Sequence, residues 1–150
     1  MSDLSLPVAL DDADARALLA RAREARRHAY VPYSDFPVGA ALLTPDGTIF
    51  SGCNVENASY GLTNCAERTA IFKAVSEGYT AFRAVAVVGP EDDLACAPCG
   101  ACRQVLSEFG PDMIVVMPAG ASDPGGVAIT SVAALLPGAF GPGRLPARGS

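Results

Sequence analysis

The chain has 150 residues, of which 50% are hydrophobic and 18% are charged, and its formal net charge is −5. This composition excludes a disordered chain, and the acidic balance argues against nucleic acid as the main partner. No apolar run approaches the roughly 20 residues that span a bilayer, so no membrane partner is expected. The acidic start, Met1-Ser2-Asp3-Leu4, lacks the basic and apolar regions of a signal peptide, which predicts a cytoplasmic protein.

The first predicted element is a helix from Asp11 to about Ala29. Asp11 or Asp12 can cap it, and apolar residues at helical spacing form one face that would pack on the core. The helix also carries five arginines, and without interleaved aromatic residues they predict a solvated outer face and not a nucleic-acid surface: Arg16, Arg21, Arg23, Arg26 and Arg27.

A β-hairpin follows an irregular segment at 30–37 that contains two prolines. Its strands are predicted at 38–44 and 48–55, joined by the turn Pro45-Asp46-Gly47. Asn54 and Glu56 lie at the end of the second strand. Because ligand sites in α/β sheets tend to lie at strand ends, these two polar residues are candidate binding residues.

The rest of the chain alternates strands and helices, which predicts an α/β fold built on a layered sheet. Helices are expected at 65–77, at 100–109 and from a Ser131 cap to Leu136, and strands at 83–89, 113–117 and 127–130. Residues 1–140 are predicted to form a single domain. Residues 141–150 are rich in glycine, proline and arginine and are expected to be a flexible tail.

Three cysteines at the predicted helix starts carry the chemical signal. Cys65, Cys99 and Cys102 can hold a zinc ion and leave its fourth position open, which is typical of a catalytic site. Glu67, two residues after Cys65, is the candidate proton shuttle. Arg68 lies one helical turn from Cys65, where a cation offsets the negative charge of three thiolates.

Two other interpretations of these cysteines stay open. Cys99-Gly100-Ala101-Cys102 alone could be a redox pair, although that motif has no use for a distant Cys65-Ala66-Glu67. A structural zinc site would need a fourth ligand, for which Cys53, Cys96 and His28 are available. Cys53 is otherwise expected to be a small buried residue, and His28 a residue at a helix end.

The sequence resembles the small homotetrameric cytidine deaminases, a zinc-dependent family. Cys65-Ala66-Glu67 and Pro98-Cys99-Gly100-Ala101-Cys102 match the three-cysteine variant of the zinc deaminase signature. The resemblance covers about residues 17–140 in five blocks, at 32–40, 52–58, 65–70, 99–104 and 135–140. It implies a three-layer α/β/α sandwich around a five-stranded mixed sheet, with Zn²⁺ as the cofactor.

The resemblance also implies a reaction and a set of roles. Cytidine and 2′-deoxycytidine would be hydrolysed to uridine and 2′-deoxyuridine for pyrimidine salvage, by attack of zinc-bound hydroxide on C4 with Glu67 carrying the protons. Cys65, Cys99 and Cys102 would bind the zinc. The implied substrate residues are Asn54 and Glu56 for the ribose, the Ala66 backbone and Phe36 for the base, and Tyr60 and Phe140 from a neighbouring subunit of a homotetramer.

Three alternative functions remain beside this one. A related deaminase could act on a cytosine-containing nucleoside antibiotic such as blasticidin S, although Asn54 and Glu56 favour ordinary nucleosides. A deaminase of polynucleotides is disfavoured by the acidic chain. A non-enzymatic zinc module would bind its metal through four protein ligands, with Cys96 as the expected fourth.

Overall fold

The computed structural model describes residues 10–146, which fold into four α-helices and five strands. The helices are α1 (Asp12–Arg26), α2 (Ala66–Ser76), α3 (Gly100–Phe109) and α4 (Val132–Leu135). The strands are β1 (Gly39–Leu43), β2 (Ile49–Cys53), β3 (Ala84–Val88), β4 (Ile114–Pro118) and β5 (Val127–Ser131). Two single-turn 3-10 helices occupy Tyr60–Leu62 and Pro142–Arg144.

The five strands form one mixed sheet in the order β2-β1-β3-β4-β5. β3 and β4 are parallel, and the other three neighbouring pairs are antiparallel. The predicted three-layer α/β/α sandwich is confirmed, since α1 covers one face of the sheet while α2, α3 and α4 pack on the other.

Side-chain alternation along the central strands builds a core on each face of the sheet. In β3, Val85 and Val87 pack towards α2 and α3, whereas Ala84, Ala86 and Val88 pack towards α1. All five residues of β3 are fully buried, which explains why this strand has a continuous apolar sequence.

Two glycines let helices approach the sheet at backbone distance. A Cβ on Gly39 of β1 would lie 1.9 Å from the Ala22 carbonyl oxygen of α1. A Cβ on Gly52 of β2 would lie 2.6 Å from the Ala70 nitrogen and 2.7 Å from the Ala66 oxygen of α2. Such distances exclude any side chain, so these glycines set the depth at which α1 and α2 sit on the sheet.

Asp11 and Ser131 cap the N-termini of α1 and α4, as the sequence predicted. The Asp11 carboxylate accepts a hydrogen bond from the Asp14 backbone N–H at 2.7 Å, and the Ser131 hydroxyl accepts one from the Ala134 N–H at 3.1 Å. These are the N-cap interactions that short polar side chains provide. α1 ends at Arg26, three residues before the predicted end.

The prediction of a solvated arginine face on α1 is wrong for Arg23 and Arg26. Both side chains reach the loop between β3 and α3, where Arg26 donates to the Gly89 carbonyl oxygen at 2.7 Å and to the Asp92 carboxylate at 2.6 Å. Only 19% of the Arg26 side chain is exposed. The sequence prediction missed this because the acceptors lie more than 60 residues away.

The C-terminal prediction is only partly covered by the described residues. Pro142–Arg144 form a 3-10 turn, and residues 147–150 lie outside the described part of the chain. A single domain at 1–140 and a flexible tail at 141–150 stay predictions. Between residues 10 and 146, none of the helices is both long and apolar enough to cross a membrane.

Candidate active site

Most of the predicted site residues lie together at one end of the sheet. Gly39, the first residue of β1, pairs with Cys53 at the end of β2 and with Val88 at the end of β3. The next residues beyond that edge, Val38 and Asn54, line the same pocket. The N-termini of α2 and α3 open into this space and bring in the cysteines.

A short backbone ladder brings the sugar-binding candidates next to the cysteines. Val55 exchanges two hydrogen bonds with Asn64, at 2.9 and 3.0 Å, and also bridges to Tyr30. Asn54 and Glu56 flank Val55 in sequence. Because the partner of Val55, Asn64, directly precedes Cys65, this pairing brings Asn54 and Glu56 close to Cys65. This ladder continues the edge of the sheet and explains how segments that are distant in sequence share one pocket.

Cys65, Cys99 and Cys102 form a cluster whose geometry fits zinc. The three Sγ atoms lie within 4.8 Å of one another, and Cys65 Sγ and Cys99 Sγ are 3.7 Å apart. A tetrahedral zinc with Zn–S bonds of about 2.3 Å separates its sulfur ligands by about 3.8 Å. Cys65 and Cys99 are the N-cap residues of α2 and α3, but neither side chain makes a capping hydrogen bond. Both thiols are thus available to a metal.

Arg68 stabilises the thiolate form of this cluster. Its Nη2 donates to Cys65 Sγ at 3.3 Å. A hydrogen bond from Cys102, supported by Arg68, lowers the pKa of Cys65 to about 5. The same hydrogen bond raises the pKa of Cys102, because the two thiols share a proton. Thiolates are the form in which cysteines bind metal, so the charge of Arg68 favours metal uptake here.

Glu67 is a buried carboxylic acid beside the cysteines. It lies in the first turn of α2, is 4% exposed and lines the pocket together with Cys65 and Cys99. Burial raises the pKa of Glu67, and the nearby Cys65 thiolate adds to that shift. A raised pKa makes a carboxyl group better able to hold a proton and pass it on, which is the property that a general acid–base group needs.

The pocket above these groups has a volume of about 380 Å³, which suits a small molecule. Cysteines and Glu67 line one part of it, and Asn54 and Glu56 line another. Phe36, which is 49% exposed, and Ala66 at the start of α2 add apolar wall. The pocket thus combines a metal cluster and an acid with separate polar groups able to hold hydroxyls.

Asn54 is buried and holds the segment that carries Phe36. Its Nδ2 donates to the Phe36 carbonyl oxygen and its Oδ1 accepts from the Val38 N–H, both at 2.8 Å. An amide has two N–H donors and two lone pairs, so one of each remains for a ligand. Asn54 therefore fixes the pocket wall and still has hydrogen-bonding capacity.

Glu56 is held in place by the same irregular segment. Its Oε1 accepts hydrogen bonds from the backbone N–H groups of Tyr33, at 3.0 Å, and Ser34, at 3.1 Å. Hydrogen bonds from Ser34 and Tyr33 lower the pKa of Glu56, so the carboxylate is ionised at neutral pH. Both backbone bonds go to Oε1, and the Ser34 side chain adds a hydrogen bond to the carboxylate.

Tyr60 and Phe140 lie outside this pocket. Tyr60 is 74% exposed and lines an adjoining cavity with Tyr33, its ring 5.6 Å from that of Tyr33. Phe140 is 59% exposed, and its carbonyl oxygen accepts a hydrogen bond from the Gln104 side chain. Neither ring contributes to the pocket of its own chain.

Comparisons with known proteins agree with this geometry. Residues 12–118 match the family model described as the cytidine and deoxycytidylate deaminase zinc-binding region. The chain belongs to this family. It is 54% identical to a cytidine deaminase of Sporosarcina psychrophila over 127 residues, which is 85% of this chain and 91% of the relative.

Solved structures show the same family fold. The cytidine deaminase of Burkholderia pseudomallei matches with a TM-score of 0.75 and 56% identity, over 83% of this chain and 97% of that one. The cytidine deaminase of Mycobacterium tuberculosis matches with a TM-score of 0.75 and 42% identity, over 85% of this chain and 98% of that one. This zinc-binding deaminase family accounts for the three-cysteine cluster.

Within this deaminase fold, the other candidate ligands are separated from the cluster. The group of potential metal ligands found within residues 10–146 contains Cys65, Cys99 and Cys102, without Cys53 or Cys96. Cys53 lies on β2, and His28 lines a separate shallow cavity with Arg21 and Ser51. Cys96 lines the pocket wall. The expected fourth protein ligand of a structural zinc site is therefore not in place.

Several residues that line the deaminase pocket were not predicted from the sequence: Ser34, Val38, Thr63, Val87 and Ala97. Cys96 was considered only as a metal ligand, and it lies in the pocket wall instead. Ser34 and Thr63 belong to irregular segments whose path no periodicity predicts. The position of Cys96 and Ala97 directly before Pro98-Cys99 was a usable signal, because residues next to a metal ligand must lie near the metal.

Proposed function

We propose that the chain catalyses the hydrolytic deamination of cytidine and 2′-deoxycytidine to uridine and 2′-deoxyuridine, with release of ammonia. The observation that carries this proposal is the buried Glu67 next to a three-cysteine cluster that fits zinc. Family membership and the names of the relatives support the same reaction. Water adds at C4, the C4–N4 bond breaks, and the amino group leaves as ammonia.

Cys65, Cys99 and Cys102 would hold the zinc ion through their thiolates. Bound zinc lowers the pKa of water from 15.7 to about 7 and so makes hydroxide available at neutral pH. Arg68, whose Nη2 is 3.3 Å from Cys65 Sγ, partly neutralises the three thiolates. With less negative charge on its ligands, zinc would keep its ability to lower the pKa of bound water.

Glu67 acts as the proton shuttle. Its carboxylate accepts one proton of the attacking water and delivers it to N3 of the cytosine ring. It then takes the second proton from the hydroxyl group added at C4 and delivers it to the departing amine, so that the C4 carbonyl forms and ammonia leaves. The burial that raises the pKa of Glu67 matches this role, because the carboxyl must both accept and donate within one turnover. Its place in the first turn of α2 keeps it close to Cys65.

The remaining pocket residues orient the nucleoside. The free N–H of the Asn54 amide and the Glu56 carboxylate bind ribose hydroxyls. The backbone N–H of Ala66, at the N-terminus of α2, donates to the pyrimidine edge, since helix-start N–H groups lack intrahelical partners. Phe36 packs against the base.

The complete site requires neighbouring subunits in a homotetramer. The exposed rings of Tyr60 and Phe140 support this, since large aromatic side chains exposed on a protein surface are typical of interfaces. Two inactive variants test it. If sites are shared, mixing Glu67→Gln and Phe140→Ala subunits by unfolding and refolding restores part of the activity, because some mixed sites carry both native residues. Activity no higher than that of the separate variants would contradict shared sites.

The expected cellular role is pyrimidine salvage in the cytoplasm. All five cysteines of the chain are free thiols, as a reducing compartment maintains them. Three of these thiols must stay reduced to bind zinc.

A substrate panel with matched variants tests the reaction. Wild type, Glu67→Gln and Glu77→Gln are compared on cytidine, 2′-deoxycytidine, blasticidin S and a single-stranded oligonucleotide, with zinc content measured for each protein. Glu77 is an exposed residue that directly follows α2, so its variant controls for the substitution itself. We expect Glu67→Gln to keep zinc and lose about 10²- to 10⁴-fold in kcat on the nucleosides. Retained turnover in Glu67→Gln, or a clear preference for blasticidin S, would contradict the proposal.

A further inference from the structure

One wall of the pocket has little support from the core behind it. Phe36 and Cys96 line the 380 Å³ pocket and also a second cavity of about 100 Å³ on their other side. Gly89, Pro90 and Leu94 of the loop between β3 and α3 line that second cavity. Because a cavity and not packed core lies behind them, the position of Phe36 and Cys96 depends on how this loop is held.

The loop meets the wall at Gly89. A Cβ placed on Gly89 would lie 3.1 Å from the Cβ and Sγ atoms of Cys96 and 3.9 Å from Cζ of Phe36. The start of the loop is therefore packed directly against Cys96 near its end. A shift of the Gly89 backbone would therefore be passed to Cys96.

Arg26 of α1 holds this loop at two points. Its Nη1 donates to the Gly89 carbonyl oxygen at 2.7 Å, and its Nη2 donates to Asp92 Oδ1 at 2.6 Å. Arg23 adds a bond from its Nη2 to the Asp92 carbonyl oxygen at 3.2 Å. The planar guanidinium of Arg26 can bind two acceptors in fixed directions, which a lysine cannot do with one ammonium.

α1 provides a firm base for this contact. Its backbone touches β1 at Gly39, where a Cβ would lie 2.7 Å from the Arg26 nitrogen. Five buried residues of the helix pack on the sheet: Ala15, Leu18, Leu19, Ala22 and Ala25. The Arg26 side chain thus extends from a packed helix to a loop that lacks regular structure.

We propose that Arg26 is a positioning residue for the deaminase site, which fastens Gly89 and Asp92 to α1 and thereby holds the Phe36–Cys96 wall against the substrate. Of the two contacts, the bond to Gly89 is the more important. Asp92 is 61% exposed, and ion pairs in contact with water contribute little. Losing Arg26 is therefore expected to matter more than losing the Asp92 charge.

The kinetic arm of the test rests on the proposed deamination of cytidine. Zinc-loaded wild type, Arg26→Ala, Arg26→Lys, Asp92→Asn and the control Arg21→Ala are compared. Arg21 lies on the same helix, and its side chain pairs with Glu24 at 4.0 Å. Arg26→Ala should raise KM about three- to tenfold and change kcat by less than about twofold, because it loosens a binding wall and leaves Glu67 and the cysteines in place. Arg26→Lys and Asp92→Asn should fall between Arg26→Ala and wild type, and Arg21→Ala should match wild type.

A second arm does not depend on activity. Cys96 in the wall and Cys53 on β2 are alkylated with iodoacetamide in the zinc-loaded proteins, and each rate is followed by peptide mass spectrometry. Arg26→Ala should increase the Cys96 rate several-fold and leave the Cys53 rate unchanged. Unchanged KM and Cys96 rates would overturn the proposal, and so would loss of zinc or a parallel rise at Cys53, which indicate general destabilisation. If wild type fails to turn over cytidine, the proposed reaction is wrong, and the alkylation rates still decide the role of Arg26.

Discussion

Arg68 donates a hydrogen bond from Nη2 to the Sγ atom of Cys65 at 3.3 Å. The contact joins two residues one turn apart at the start of α2, so the helix itself brings a positive charge to a thiol of the proposed zinc site. Cysteine-only clusters carry excess negative charge once a divalent ion is bound, and this arginine offsets part of it.

Replacing Arg68 by glutamine should weaken zinc binding about 10- to 100-fold, the range seen when a partner of a metal ligand is removed. Competition with a chromophoric chelator measures the affinity, and deaminase activity should fall in parallel at limiting zinc. Lys73→Gln is the control, because Lys73 is a cation on the same helix that bonds the Ser51 carbonyl oxygen outside the site. Wild-type zinc affinity in Arg68→Gln would contradict this role for Arg68.

Gly52→Ala should displace α2 and disturb the site from a distance. The new methyl group would lie 2.6 Å from the Ala70 nitrogen and 2.7 Å from the Ala66 oxygen, so the helix must move away from β2. Overpacking of this kind costs about 1–3 kcal/mol in the free energy of unfolding. Urea denaturation measures that cost, and kcat/KM should fall because Cys65 and Glu67 move with α2.

Gly47→Ala is a useful comparison for this variant. Gly47 lies in the β1–β2 turn with φ +89°, and a Cβ there has no neighbour within 4 Å. Its substitution strains the backbone but leaves α2 in place, so stability should fall without a comparable loss of kcat/KM. Equal effects of both variants on kcat/KM would show that the packing of α2 is not what sets the site.

Much of the fold could be predicted because its signals are local. The apolar run at 84–88 and the capping residues Asp11 and Ser131 each act within a few residues, and the elements lie where they indicated. The cysteine cluster could also be predicted from the sequence. Cys65 and Cys99 directly precede helices whose first residues the sequence indicates.

The missed features depend on contacts between distant segments. Arg26 looked like one of five surface arginines, since nothing near it in sequence identifies Gly89 and Asp92 as its acceptors. The role of Asn54 in holding Phe36 and Val38 likewise follows from the path of an irregular segment. Tertiary structure decides such contacts, and residue spacing carries no signal for them.

Asp46 in the β1–β2 turn provides a pH-dependent prediction for stability. Hydrogen bonds from the Thr44 hydroxyl and the Thr48 N–H lower the pKa of Asp46 to about 2, from an ordinary value near 3.8. A lowered pKa stabilises the folded state above the ordinary value, and this contribution is lost as the pH falls through about 2.

Asp46→Asn should therefore be less stable than wild type at pH 7, with a difference that shrinks between about pH 4 and pH 2. Urea denaturation of both proteins at several pH values measures the difference in their free energies of unfolding. Ionisable groups that both proteins contain affect both free energies equally and do not change this difference. A difference that stays constant down to about pH 2 would show that the ionised carboxylate of Asp46 is not the stabilising group.

Cytidine turnover before and after zinc removal tests the proposed zinc-dependent deamination most directly. The protein is assayed as purified, after dialysis against a chelator, and after addition of one equivalent of zinc, with bound zinc measured at each step. We expect cytidine to be converted to uridine and ammonia, this activity to be lost with the metal, and the activity to return at about one zinc per chain. Undiminished turnover in the zinc-free protein, or no turnover in the zinc-loaded one, would contradict it.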